Sequence, residues 1–138
     1  MRIVVPSSGV KAASGSGGTE YSRGVLTRLA GSGEDVHALL ARHQPASSDF
    51  AATVERIPFG RGLRWPLANV VFAPLIATCV RAHERDLIVS HSLRYTGVPA
   101  ILAGRWTGRP VVLHVHHMEA RNLGLLLERW ALRRADRV

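Results

Sequence analysis

The residues whose types can do chemistry in this chain gather in three places. The first is Gly15-Ser16-Gly17-Gly18-Thr19-Glu20, which closes a Gly/Ser-rich stretch and opens a helical pattern. Glycines there let a ligand approach the backbone, and free N–H groups at a helix start attract phosphate. The run is not the dinucleotide fingerprint, because Glu20 stands where G-x-G-x-x-G needs its third glycine. It also lies about ten residues beyond the preceding strand, which that fingerprint follows directly. A P-loop is excluded, since the only lysine, Lys11, precedes these glycines. A merely flexible loop stays open as the alternative.

The second place is His114, His116 and His117, at the end of a predicted strand. Alternation puts His114 and His116 on one face and His117 on the other. No carboxylate or cysteine motif completes a ligand set beside them, so no metal is expected. Donation to a ligand hydroxyl or phosphate, or proton transfer, is the chemistry such histidines offer. Ordinary surface histidines are the alternative. The third place is His91, in Ser90-His91-Ser92-Leu93-Arg94-Tyr95, where lining a ligand and steadying a turn are equally open. There is no G-x-S-x-G elbow, so an α/β-hydrolase would lack its nucleophile. Cys79 is the single cysteine, which excludes an internal disulfide and an all-cysteine zinc site and fits a reducing compartment. Placed mid-helix in an apolar run, it reads as inert core.

These residues need a frame to hold them. Ile3 to Val5 is an apolar β-branched run ended by Pro6, as for a strand buried on both faces. Pro6 to Gly18 is a loop, and from Thr19 the spacing of Tyr21, Val25, Leu26 and Leu29 is helical until Gly31-Ser32-Gly33. Strands follow at Asp35–Leu40, Thr53–Phe59, Asp86–Ser90 and Pro110–Val115, with a polar loop from Gln44 to Ala52. Helices are predicted over Leu67–Glu84, with Pro74 kinking or breaking it, over Thr96–Trp106, and over Leu123–Trp130. No internal repeat is visible. Apolar strands alternating with helices predict an α/β Rossmann-like three-layer sandwich with a mostly parallel sheet. Ligands bind such sheets beyond the carboxyl ends of the strands, which places the loops Pro6–Gly18, Ser90–Tyr95 and His116–Asn122 on one functional edge.

The chain of 138 residues has room for one domain and can bury a core without disulfides. Apolar residues at 46% and charged residues at 20% exclude wholesale disorder. The net charge of +8 is almost wholly arginine, a residue suited to bidentate phosphate contacts, although genomic base composition explains the same excess. The arginines are scattered except for Arg129, Arg133, Arg134 and Arg137, and with 6% aromatic residues there is no interleaved basic stripe for nucleic acid. No signal-peptide pattern opens the chain. The uncharged stretch from Trp65 to Val80 is shorter than the roughly 20 residues a membrane span needs, so a buried or interfacial helix is expected.

Four stretches in order resemble the amino-terminal domain of family 4 retaining glycosyltransferases, two-domain enzymes of the GT-B class. They are Gly17-Gly18-Thr19-Glu20 with its helix and Gly33-Glu34-Asp35-Val36-His37; Asp86-Leu87-Ile88-Val89-Ser90-His91-Ser92; Gly108-Arg109-Pro110-Val111-Val112-Leu113-His114-Val115-His116; and Leu127 to Val138. The resemblance leaves out only Gln44 to Arg64. It implies that Gly17 and Gly18 approach the diphosphate of a nucleotide-sugar donor, that His116 faces the donor sugar at the reacting centre, and that His91 lines the acceptor pocket. It implies retention of configuration, no metal and no other cofactor. Glu34 and His117 depart from residues common in the family at their positions, and His117 stands where acceptor contacts would change.

The same resemblance implies that residues 1–138 are the acceptor-side domain, incomplete at its carboxyl end, with most donor contacts on a missing second domain or partner chain. A sheet edge beyond the Leu113 strand and the apolar face from Leu123 to Trp130 are then expected to be partly uncovered, and the chain alone is expected to be inactive. A cytoplasmic location with peripheral contact to anionic membrane is the matching expectation. Two other classes remain compatible with the residues: a non-catalytic domain binding a phosphorylated ligand or partner, and a basic module binding nucleic acid or anionic membrane, which would lose binding steeply with salt.

Overall fold

The computed structural model describes residues 1–7, 17–41, 53–57, 67–115 and 123–138. Five strands, β1 (Arg2–Ser7), β2 (Asp35–Ala41), β3 (Thr53–Ile57), β4 (Leu87–Ser90) and β5 (Val111–Leu113), form one sheet in the order β3-β2-β1-β4-β5. Every neighbouring pair is parallel. Among the described residues three helices run between strands, α1 (Gly17–Gly31), α2 (Leu67–Ala82) and α3 (Val98–Thr107), and α4 (Leu123–Leu132) follows β5. This is the expected α/β Rossmann-like arrangement. The strand order reverses between β1 and β4, and a crevice opens at such a reversal.

The two faces of the sheet separate by alternation along each strand. Ile3, Val5, Val36, Ala38, Leu40 and Val89 pack on one side with Leu26 of α1. Val4, Leu39, Ile57, Ile88, Val111 and Leu113 pack on the other, against α2, α3 and Ala131 of α4. The core helix α2 absorbs the stretch considered for a membrane, with Phe72, Ile76, Ala77 and Val80 turned inward. No helix among the described residues is long and apolar enough to cross a membrane.

Several boundaries differ from the expected ones. Strand β1 runs through Pro6 to Ser7, because Pro6 pairs in register with Leu39 of β2 and the strand continues past it. Pro74 neither ends nor interrupts α2. It lies on the exposed side with Val70, so the carbonyl that loses its partner faces solvent. Strand β5 is shorter than Pro110–Val115. Before α3 the chain makes a π-helical turn at Leu93–Gly97, in which Gly97 N donates to Ser92 O at 2.7 Å. Helix α3 then sits close on β5 because residue 104 is glycine: a Cβ there would meet Val111 Cγ2 at 2.4 Å and the Arg109 carbonyl oxygen at 2.9 Å.

The outer edge of β5 is not left open. Residues after α4 return to it, with a parallel bridge between Val112 and Arg137 and with Leu113 N donating to Arg137 O at 3.0 Å. The face of α4 also differs from its apolar stripe. Leu127 and Trp130 pack on the core and Ala131 is buried, but Leu126 is exposed and Glu128 is buried in its place.

At the amino ends of the strands the charged side chains are paired, with Arg85 Nε left over among the described residues. Arg2 spans Asp86, at 3.1 Å, and Glu84, at 2.9 Å. Arg85, only 6% exposed, pairs with Asp35 and donates from its second terminal nitrogen to His37 Nδ1 at 3.2 Å. His37 Nε2 lies 2.9 Å from Glu55. Burial, more than any neighbour, holds His37 below its ordinary imidazole pKa, against the opposing pull of Glu55. Cys79 is buried as expected, and its thiol is pushed up to about 12, chiefly by desolvation.

Candidate functional site

The carboxyl ends of β1, β4 and β5 bring together residues from three parts of the sequence. Gly17 and Gly18 form the first two positions of α1, so their backbone belongs to the helical turn whose N–H groups have no intrahelical acceptor. One turn on, Tyr21 is half exposed at the rim. His91 follows β4 directly and is buried, at 7% exposure, because the π-helical turn after it folds back over the strand end. His114 follows β5 and is partly exposed.

The three rings meet. His91 and His114 have centroids 4.8 Å apart, Tyr21 and His114 6.1 Å, and Tyr21 and His91 6.5 Å in an edge-on arrangement. The Tyr21 hydroxyl lies 3.5 Å from His114 Nδ1. Beneath them the loop after β4 is tied down by Ser90 Oγ and Thr96 Oγ1, 2.6 Å apart, each hydroxyl also lying 3.1 Å from the Ser92 carbonyl oxygen. His114 N donates to Ser90 O at 2.8 Å, which fixes the start of one histidine loop to the base of the other. Two imidazoles and a phenol at the edge of a helix N-terminus can donate hydrogen bonds to an oxygen-rich, anionic ligand and can move a proton.

Of the residues singled out in the sequence, Gly17, Gly18 and His91 thus come to the same edge. His116 and His117 lie outside the described residues. Tyr21 was read only as a helical apolar position, yet it closes the group; its place one turn after Gly17 was the available signal. His114 was weighed with its neighbours, and it is this histidine that meets His91. Glu128 had no signal beyond its helix. It is 1% exposed, and among the described residues neither carboxylate oxygen has a hydrogen-bond partner, although α4 packs against the π-helical turn. Buried carboxylates are ordinarily paired, so this one stands out.

The fold is shared with solved glycosyltransferases. The lipopolysaccharide outer core galactosyltransferase WaaB, in its apo form, matches with a TM-score of 0.64 at 10% identity over 94% of this chain and 37% of its own. MurG of Acinetobacter baumannii matches with a TM-score of 0.63 at 20% identity over 94% of this chain and 38% of its own. The chain therefore spans less than two-fifths of the length of either. A leucoanthocyanidin reductase bound to NADPH, from Vitis vinifera, also matches, with a TM-score of 0.54 at 16% identity over 96% of this chain and 44% of its own, so the sheet alone does not separate transferases from reductases. No curated protein sequence matches the chain significantly. The separation comes from a family model: the Glycosyl transferase 4-like domain matches residues 16–138, from the residue before α1 through the strand end beside β5. With its parallel sheet, its reversal of strand order between β1 and β4 and that match over most of its length, the chain belongs to the glycosyltransferase 4-like family.

Proposed function

We propose that residues 1–138 form the acceptor-side domain of a glycosyltransferase that moves a sugar from a nucleotide-sugar donor to an acceptor with retention of configuration. The observation that carries this reading is the meeting of Tyr21, His91 and His114 beside the first turn of α1, within a chain of the glycosyltransferase 4-like family. Gly17 and Gly18 admit the donor diphosphate to the helix N–H groups. His116 contacts the donor sugar near the reacting carbon, and His91 lines the acceptor pocket under Tyr21 and His114. The domain's share of catalysis is positioning together with stabilisation of the departing diphosphate.

A second, donor-binding domain completes the cleft and excludes water from it. The setting is cytoplasmic, with peripheral membrane contact. The test is made on the complete transferase carrying this domain. With a panel of nucleotide sugars, nucleoside diphosphate release should depend on one donor. His116→Ala should lower turnover about 10- to 100-fold, the worth of one hydrogen bond to a charged group, with an unchanged melting temperature. A fall in melting temperature with full turnover would make His116 a structural residue and remove it from the site.

A further inference from the structure

A second cluster of reactive side chains lies on the other side of the sheet from α1, between the strands and α2, and it plays no part in the proposed transfer. His37 of β2, Glu55 of β3, and Cys79 and His83 at the end of α2 each offer one ligating atom, and these four atoms all lie within 4.8 Å of one another. We propose that these four residues bind a single zinc ion, which fastens β2 and β3 to the carboxyl end of α2.

Three observations converge on this assignment. The first is donor chemistry. Two imidazoles, one sulfur and one carboxylate suit a borderline-soft ion, whereas magnesium and calcium prefer oxygen alone. The second is spacing. Bond lengths of about 2.0–2.3 Å around a tetrahedral ion set its ligands roughly 3.3–3.6 Å apart. Here His37 Nε2 is 2.9 Å and His83 Nε2 is 3.6 Å from the same oxygen, Glu55 Oε2, and all four ligating atoms lie within 4.8 Å of one another, so shifts of about 1 Å bring them to that spacing. The third is the division between wall and opening. His37 and Cys79 are buried, while Glu55 and His83 have side chains 41% and 43% exposed, so an ion reaches the buried pair through the exposed one.

The tautomers can be followed through binding. Arg85 is a donor only, so its contact to His37 Nδ1 leaves the ring proton on Nε2, pointing at Glu55. Zinc takes the place of that proton at Nε2. The proton moves to Nδ1, and Arg85 turns wholly onto Asp35, its existing partner. Cys79 loses its thiol proton to solvent as the zinc–sulfur bond forms. No redox change is involved.

Apart from Cys79 and His83, which stand four residues apart, no short spacing joins the site's ligands, and half a set is no motif. They come from two strands and a helix, and only the register of β2 on β3 and the packing of α2 unite them. The test uses the full chain, stripped of metal with a chelator and titrated with Co²⁺ alone. One equivalent should produce intense visible bands of a tetrahedral ion and a near-ultraviolet thiolate-to-cobalt charge-transfer band, and Zn²⁺ should abolish both by displacement. Cys79→Ser should lose the charge-transfer band. Because that change touches the core, His83→Ala, at the exposed helix end, is the companion variant. It should keep its circular dichroism and bind Co²⁺ at least about tenfold more weakly, since even an outer partner of a ligand is worth 10- to 100-fold. Pale octahedral bands without charge transfer, or unweakened binding in folded His83→Ala, would overturn the proposal.

Discussion

At the amino ends of the strands, side chains answer one another charge for charge: Arg2 with Asp86 and Glu84, and Arg85 with Asp35. At the carboxyl ends of β4 and β5 the contacts between described residues are of another kind, ring against ring and hydroxyl against hydroxyl. The first arrangement pairs nearly all of its charges and holds the sheet to its connections. The second groups imidazole and phenol rings at the edge where a helix N-terminus adds partial positive charge. A parallel sheet makes this division natural. All strands end at the same edge, so one edge collects loops that serve a ligand and the other collects turns that serve the fold.

That contrast can be broken by substitutions whose effects fall on the wrong property. Gly104→Val should have the largest effect, because the added atoms meet Val111 and a backbone carbonyl that cannot swing aside. Overpacking of this kind costs about 3 kcal/mol, read as a lowered urea midpoint. Next comes Glu128→Leu, which removes a buried carboxylate that has no partner among the described residues. The variant should gain about 2 kcal/mol, and a loss of stability would show that Glu128 serves the fold. A gain in stability with a loss of turnover would add α4 to the functional edge.

A matched pair then sharpens the comparison. Arg85→Leu removes donors to Asp35 and His37 at the amino edge and should cost about 1 kcal/mol, Asp35 itself remaining half exposed. Tyr21→Phe removes only the hydroxyl near His114, so stability should move by less than about 0.5 kcal/mol while turnover of the complete enzyme falls. If Tyr21→Phe proves the more destabilising of the two, the division between edges fails.

The smallest effect is a matter of pH. The hydrogen bond from Arg2 holds the Asp86 carboxyl below its ordinary value. A carboxyl depressed in the folded state adds stability above its unfolded pKa, near 3.8, and loses it as pH falls through the folded value. Asp86→Asn should therefore lower stability slightly at neutral pH and flatten the acid limb below that pH, so that the two profiles converge in acid.

The frame was readable in the sequence because apolar β-branched runs and helical spacing are local signals. Ile3-Val4-Val5 and Leu87-Ile88-Val89 announce buried strands without reference to anything distant. The interruptions were misread for the same reason. Pro6 and Pro74 look like stops locally, but β2 supplies pairing past one and solvent accepts the carbonyl freed by the other. The candidate site was legible as positions, Gly17, Gly18 and His91, and less so as a group. That Tyr21 would lie beside His91 and His114 depends on how the first turns of α1 are set against the chain after β4 and β5, a tertiary fact. The partnerless state of Glu128 is likewise invisible until α4 is placed, since its spacing matches a solvated face.

The π-helical turn at Leu93–Gly97 has a consequence for changes in chain length. A π turn holds one residue more than an α turn, and an α-helix rotates about 100° for each residue. Deleting one residue between Leu93 and Gly97 would let the turn relax to ordinary helix, but everything after it would be out of phase by that rotation. Ile101, packed inward on the core, would swing toward the flank, and Gly104 would no longer face Val111. The same deletion would pull Thr96 away from Ser90 and loosen the loop that carries His91. The extra residue thus acts as a phase-setter, aligning the packing of a helix and the position of the buried His91 at once, so insertions and deletions here should be far less tolerated than substitutions.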